Sequence, residues 1–256
     1  MRVPCVVHNG FSDGGVGGNG AGIVVLASAG LAGVPACDPG VVLSAEDQAG
    51  IARLVGLSET VFVGGAGGDT GDGTSHVSMA YVTPEGEVDL CGHATVACLG
   101  YLSTSGDAEY TLHTAAGTLR ASCCGGVVSM QQATFSGAAP LPLDRLLACI
   151  PGTAAGDVGL AVIASTGLRD MLLEVATPEA LAALAPDMAA LAGLSRDLDV
   201  TGLHAFAWLE GGKAGVVAGT GGPHVLARNF APAFGIEEEA ATGTSNCCLG
   251  CVLSEL

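Results

Sequence analysis

The sequence predicts an α+β protein made of two duplicated lobes, and three observations carry that prediction. Short apolar runs bounded by Gly, Pro and Asp turns recur through the first half. LVGLS (54–58) and LAGLS (191–195) are near copies. TPEGEVDLCGHAT (83–95) is then echoed, in the same order, by APAFGIEEEAATGTS (231–245). Each of these runs passes from a Pro-containing turn through acidic residues into Gly and a hydroxyl or His, then a small-residue helix. Internal repetition sets architecture, so the chain is expected to divide near residues 112–118, into lobes of 1–115 and 116–256.

The elements follow in order. VPCVVH (3–8) reads as an edge strand and GIVVLA (22–27) as a second strand, separated by the glycine-rich FSDGGVGGNGA (11–21). LSAEDQAGIARLVGL (43–57) is amphipathic, with Ser44 as N-cap and Asp47 three residues on. ETVFV (59–63) is a strand, GGAGGDTGDGT (64–74) a loop, SHVSMAYV (75–82) a strand and TPEGE (83–87) a tight turn. VDL (88–90) leads into a helix that begins near His93 and ends by Gly106. In the second half, TPEALAALAPDMAALAGLS (177–195) is helical and broken at Pro186, and LHAFAWL (203–209) is strand-like. Glu237, Glu238 and Glu239 read as an acidic turn.

Composition narrows the function. Apolar residues make up 49% of the 256, yet no uninterrupted run of about 18 exists, so no membrane span is expected. MRVPCVVHNG lacks the apolar core of a signal peptide, and a cytoplasmic location is the expectation. A net charge of −17, with one lysine and seven arginines, disfavours nucleic acid as a partner. The ten cysteines are mostly scattered, and none completes a tetrahedral metal set, so they read as reduced, buried thiols. GVGGNG (15–20) matches G-x-G-x-x-G, but the β-like AGIVVLAS follows it where a dinucleotide site needs a helix.

What remains is a chain that would have to bind an anion with almost no base. Two helix starts, one per lobe, supply free N–H groups and the positive end of a helix dipole. A cleft shared by duplicated lobes is the expected place for them. His93 lies in the first turn of its helix, where the dipole favours the neutral imidazole; its plain structural reading is a helix cap. Cys91, just ahead, reads as a buried thiol. Glu59 opens an apolar strand, where a carboxylate is costly unless paired, or else marks an exposed strand edge. Asn19 can reach a ligand carboxylate from a glycine loop, or simply occupy a turn. His8 and His204 read as core or edge residues of strands.

GGNGAGIVV (17–25), GLSETVFV (56–63), TPEGEVDLCGHATVA (83–97), RNFAPAFGI (228–236) and EEAATGTS (238–245) together resemble the PhzF-like phenazine-biosynthesis isomerase family, which belongs with diaminopimelate epimerase and proline racemase. The resemblance implies two pseudo-symmetric lobes, each an antiparallel sheet wrapped around a central helix, with the active site between them. By the same resemblance Glu59 is the acid/base, His93 contacts substrate, and Glu239 stands where the family has Asp. Gly92, Gly243 and Thr244 would give backbone donors to a substrate carboxylate, with Asn19 and Cys91 beside it. No metal or organic cofactor is implied.

The departures are Glu239 for Asp, Ala240 for Pro, Gly20 for Pro, and Thr244 for Ser. Relatives also continue beyond the last helix with further strands, so the second lobe is expected to be C-terminally shortened; either a partner chain, expected as a homodimer, covers the open edge, or the lobe is rearranged, or the chain is incomplete. The epimerases use two thiols. Here the second thiol position aligns with Ala240, which disfavours a two-thiol racemase. The expected activity is therefore a cofactor-independent isomerase of secondary metabolism. It would move a proton and a double bond on a small conjugated cyclic amino or hydroxy acid through one carboxylic acid. A C–C hydrolase or lyase using the same acid, and a non-catalytic scaffold, are the alternatives.

Overall fold

The computed structural model describes residues 2–12, 15–26, 34–65, 74–103, 106–210 and 224–255. Residues 66–73, most of the glycine-rich loop after the third strand, and Lys213 lie outside the described residues. Among the described residues no helix is long and apolar enough to cross a membrane. Each of the ten cysteines is a free thiol, although Cys5 and Cys124 are exposed rather than buried.

The chain divides into two compact units, Met1–Gln131 and Gln132–Leu256. This corrects the expected boundary at 115/116. The reason is pairing: β6 (Ala108–Thr114) continues antiparallel into β7 (Gly117–Cys124), and β7 into β8 (Val127–Met130), so the segment after residue 115 completes the first sheet.

Before these strands the first unit runs β1 (Val6–Gly10), β2 (Asn19–Val25), α1 (Ala45–Val55), β3 (Thr60–Gly65), β4 (Thr74–Thr83), β5 (Gly86–Val88) and α2 (Gly92–Leu102). Its eight strands are ordered β1-β2-β3-β4-β6-β7-β8, with β5 on β4. Two pairs, β2·β3 and β4·β6, are parallel, so the sheet is mixed rather than antiparallel throughout. Each parallel pair is joined by a crossover containing a helix, which parallel strands require. α1 carries the expected capping box, with Asp47 N–H donating to Ser44 Oγ at 3.1 Å and Ser44 N–H to Asp47 Oδ2 at 2.9 Å. Gly56 ends it in the left-handed region at φ 70°.

α2 has no polar face, and a helix apolar all round belongs inside. Ala94, Ala97, Cys98 and Leu99 sit with Ile23, Val25, Val61, Val63, Tyr81 and Leu112 in one core. α2 touches β1 and β2 at one edge of the sheet and β7 and β8 at the other, so the sheet curls around it. α1 covers the outer face, where Ala52 packs with Val24, Phe62 and Val82. Burial on both faces explains why IVV and VFV read as continuous apolar runs. The approach of β1 to α2 is close enough to require Gly10: a Cβ there would lie 2.5 Å from the His93 carbonyl oxygen.

The second unit runs β9 (Ala138–Pro140), α3 (Leu143–Leu147), β10 (Val158–Ser165), β11 (Arg169–Val175), α4 (Pro178–Ala183), α5 (Met188–Leu198), β12 (Leu203–Trp208), β13 (Val225–Ala231), β14 (Ile236–Glu239) and α6 (Gly243–Ser254). Among the described residues its six strands are ordered β14-β13-β12-β11-β10-β9, and of these pairings only β11·β12 is parallel. The duplication is visible as chain order. β1-β2-α1-β3-β4-β5-α2 corresponds to β10-β11-α4/α5-β12-β13-β14-α6. At the parallel crossovers Gly22 N–H donates to Glu59 O at 3.1 Å, and Met171 N–H donates to Gly202 O at 2.9 Å. α6 covers one face of this sheet, with Cys248, Leu249 and Val252 against Leu172 and Phe206. α3, α4 and α5 cover the other through Leu146, Leu181, Leu191 and Leu194.

Two local expectations change. Pro186 does break the helical region, with Asp187 capping α5 at Ala190 N–H, 3.0 Å. LAGLS, however, lies inside α5, whereas LVGLS closes α1. Glu237–Glu239 belong to strand β14 rather than a turn, because β13 offers a pairing edge and Arg228 binds both Glu238 oxygens at 2.8 Å.

Leu99 is fully buried in the first core, whereas Leu54 on α1 is 88% exposed. Leu99→Ala is expected to cost about 2–5 kcal/mol in urea unfolding, and Leu54→Ala to stay within about 0.5 kcal/mol of wild type. Gly10→Ala is expected to cost about 1–3 kcal/mol by pushing β1 off α2; an unchanged urea midpoint would refute the close approach.

Candidate active site

In the first unit the site is built at the mouth of α2. Glu59 ends the connection from α1. Its carbonyl accepts the Gly22 N–H, so its backbone is pinned as β3 begins. The side chain is only 12% exposed, and Oε2 lies 3.4 Å from His93 Nε2. Oε2 makes no aligned hydrogen bond, so the contact is one of charge and proximity. His93, the second residue of α2, is 4% exposed. Its other nitrogen, Nδ1, lies 3.3 Å from Cys91 Sγ, and Ser58 Oγ stands 3.5 Å from Nε2.

The mouth itself is held from below. Thr95 Oγ1 donates to the Cys91 carbonyl at 2.8 Å, and Tyr81 Oη shares a 2.6 Å hydrogen bond with Thr95 Oγ1. The Cys91 side chain, at the N-cap, makes no capping hydrogen bond to the first turn of α2, whose start carries the positive end of the helix dipole. Asn19 opens β2 opposite Gly10, and the neighbouring Gly20 backbone hydrogen-bonds His93.

Electrostatics favour a neutral imidazole. Burial pulls the His93 pKa below its ordinary value, outweighing the opposing pull of the Glu59 carboxylate and the Gly20 backbone. A neutral imidazole carries one hydrogen. With that hydrogen on Nε2, Nδ1 accepts from the Cys91 thiol; with it on Nδ1, the roles reverse. Cys91 and Glu59 thus lie beside the two ring nitrogens of His93. Glu59, Cys91 and His93 also form a group of potential metal ligands with donor atoms within 4.8 Å of one another. The thiol lies nearest Nδ1 and the carboxylate nearest Nε2.

In the second unit Glu239 ends β14 opposite Asn229, and Gly243 and Thr244 are the first two residues of α6. Thr242, at the N-cap, places no side-chain hydrogen bond on the first turn. Asn246 Nδ2 donates to the Thr242 carbonyl at 2.6 Å, as Thr95 does to Cys91 one turn into α2. The Thr244 carbonyl accepts from Thr166 Oγ1 at 3.4 Å.

Sequence reading had singled out Glu59, His93 and Cys91 separately. The fold brings these three together, while Glu239, Gly243 and Thr244 form a set of their own in the second unit. Ser58, Tyr81 and Thr95 were missed as supports of the mouth, as were the buried polar residues Asp170, Asn229 and Ser245. For Asp170 a signal existed: like Glu59, it is a carboxylate opening an apolar strand.

Residues 9–256 match the PhzC-PhzF family model, described as phenazine biosynthesis-like protein. An uncharacterized isomerase of Deinococcus radiodurans is 34% identical over 224 residues, 80% of this chain and 67% of the relative. An uncharacterized isomerase of Pseudomonas aeruginosa is 31% identical over 198 residues, 77% of this chain and 65% of the relative. The chain thus spans about two thirds of the length of these curated relatives. The crystal structure of a Bacillus anthracis PhzF-family phenazine biosynthesis protein superposes with a TM-score of 0.75 at 24% identity, over 98% of this chain and 79% of that one. The chain belongs to the PhzC-PhzF family of phenazine biosynthesis-like proteins.

Proposed function

We propose that the chain acts as a cofactor-independent isomerase that shifts a proton and a double bond on a small conjugated cyclic amino or hydroxy acid of secondary metabolism, with Glu59 as the acid/base. The observation that carries this reading is the largely buried Glu59 carboxylate, 3.4 Å from an imidazole that burial keeps neutral. The relatives named as isomerases support the same class.

The chemistry follows from the groups present. The Glu59 carboxylate takes a proton from an activated C–H, and the electron pair left behind delocalises along the conjugated system. The carboxylic acid so formed returns that proton to a carbon further along, and substrate and product are isomers. A neutral His93 donates from Nε2 without adding a competing positive charge, and it can equally hold a substrate oxygen or nitrogen. The leading N–H groups of α2 (Gly92 onward) suit the substrate carboxylate and would absorb developing negative charge. Gly243 and Thr244 offer the same kind of donor at α6. Glu239 is assigned a helping role by family resemblance, and Asn19 a place beside the carboxylate on the same ground.

Cys91 enters as the group that fixes the imidazole tautomer, since a thiol donating to Nδ1 keeps the hydrogen on Nε2. Cys91 is buried, as expected, and this role is added to that reading.

Incubation with conjugated cyclic amino and hydroxy acids in deuterated water provides the test. Solvent deuterium should appear in a rearranged product of unchanged carbon skeleton. Glu59→Gln should lower that incorporation by about 10²–10⁴-fold while the circular dichroism stays that of wild type. Equal incorporation by Glu59→Gln would sink the assignment, and a shortened skeleton would replace isomerisation by cleavage. Cys91→Ser, which keeps a donor to Nδ1, is expected to stay within about threefold of wild-type turnover, whereas Cys91→Ala loses about 3- to 10-fold, the worth of one hydrogen bond. A Cys91→Ala enzyme with no residual turnover would make the thiol a reactant instead.

A further inference from the structure

The second unit holds a buried carboxylic acid beneath the mouth of α6 that the chemistry above does not use. Asp170, the second residue of β11, is 1% exposed. Ser245 Oγ donates to its Oδ2 at 2.8 Å, and its Oδ1 has no hydrogen-bond partner among the described residues. Ser245 in turn accepts a long contact, 3.4 Å, from Thr242 Oγ1 at the N-cap of α6. A line of side chains thus runs from Asp170 through Ser245 to the turn that carries Gly243 and Thr244.

The groups facing Asp170 contain no cation among the described residues. β10 presents Ala164, directly opposite in register. α6 presents Ser245 and Cys248, and the Cys248 thiol is pushed up to about 12 by burial, with the Asp170 charge as the next cause. On β12, His204 is 1% exposed with Nδ1 3.2 Å from Asn229 Oδ1, and burial lowers its pKa, which keeps it neutral. Arg169, next in the chain, is exposed and pairs with Asp199 at 3.4 Å.

The duplication shows that the fold does not need this acid. The matched crossover bonds, Gly22 to Glu59 and Met171 to Gly202, make Asp170 the counterpart of Ala21. Ser245, third in α6, is the counterpart of Ala94, third in α2. In the first unit two fully buried alanines do the packing that an acid and a hydroxyl do in the second. A buried carboxyl costs more than an alanine at such a site unless it serves another end.

We propose that Asp170 is a positioning residue that couples a proton to the Thr242–Thr244 turn through Ser245. Its neutral form leaves the leading N–H groups of α6 as an unopposed positive end. Its ionised form places a negative charge behind them and weakens their hold on a carboxylate ligand. The ligand consequence rests on the reading of α6 as a carboxylate-binding mouth; the coupling itself does not. Burial raises the Asp170 pKa from 3.8 to about 6, against the lowering effect of the Ser245 bond. The sign for stability follows: the folded acid holds its proton more tightly, so its contribution is complete below about pH 4 and is lost as pH rises to about 6.

Amide NMR of the full chain between pH 4.5 and 7.5 tests this, with benzoate as a plain carboxylate probe. The Gly243 and Thr244 amide shifts should titrate near pH 6 in wild type and not in Asp170→Asn or Ser245→Ala. Benzoate affinity should fall above pH 6, by at most about tenfold per pH unit, and be flat in Asp170→Asn. Amides that ignore pH, or that titrate equally in Asp170→Asn, overturn the coupling. Titrating amides without benzoate binding at any pH uphold the coupling and overturn the carboxylate reading of α6. Should a single variant fail to fold, the double variant Asp170→Ala/Ser245→Ala restores the alanine pair of the first unit. It should fold and show no titration at the turn; a titration surviving there would overturn the proposal.

Discussion

The constraint on which the first unit depends is the burial of most of an apolar helix. α2 has no fully exposed residue, so the sheet has to curl around it, and β1 has to come close enough for Gly10 to be obligatory. Burial also leaves the polar start of the helix with few ways to be satisfied. Tyr81 and Thr95 hold the Cys91 carbonyl from inside the core, and the Cys91 side chain makes no capping hydrogen bond to the first turn. The start of such a helix carries the positive end of its dipole.

Placing Glu59 and His93 at that mouth turns a packing constraint into chemistry. Burial penalises charge on His93. The imidazole responds by staying neutral, and its two nitrogens are then divided between a thiol and a carboxylate. A protonated histidine in the same place would lock Glu59 as a permanent ion-pair partner. A neutral one supplies direction without a full charge, which suits an acid that must gain and lose a proton in one cycle.

The two units use one chain plan with different residues at the matched positions. Glu59 corresponds to Gly202, where a Cβ would overlap the Phe230 carbonyl and no side chain fits. Ala21 and Ala94 correspond to Asp170 and Ser245. Each helix mouth therefore receives one buried carboxyl, from a different direction and at a different strand position. Duplication conserved the backbone device and let the titratable groups diverge.

Local signals in the sequence were sufficient wherever the deciding interaction is local. The Ser44/Asp47 capping box, the break at Pro186 and the small-residue helix after Cys91 all depend on residues within one or two turns. The repeat, being a comparison of the chain with itself, was equally legible, as was the suspicion attached to Glu59 and His93. Tertiary structure alone decided what depends on distant partners. The parallel pairing of β2 with β3, the extension of the first unit to Gln131 and the strand at Ile236–Glu239 each need a neighbouring edge that no local pattern announces. The same holds for the division of the His93 nitrogens and for the depth of Asp170. Both depend on which side chains arrive from other elements to exclude water, and that is settled only when the core closes.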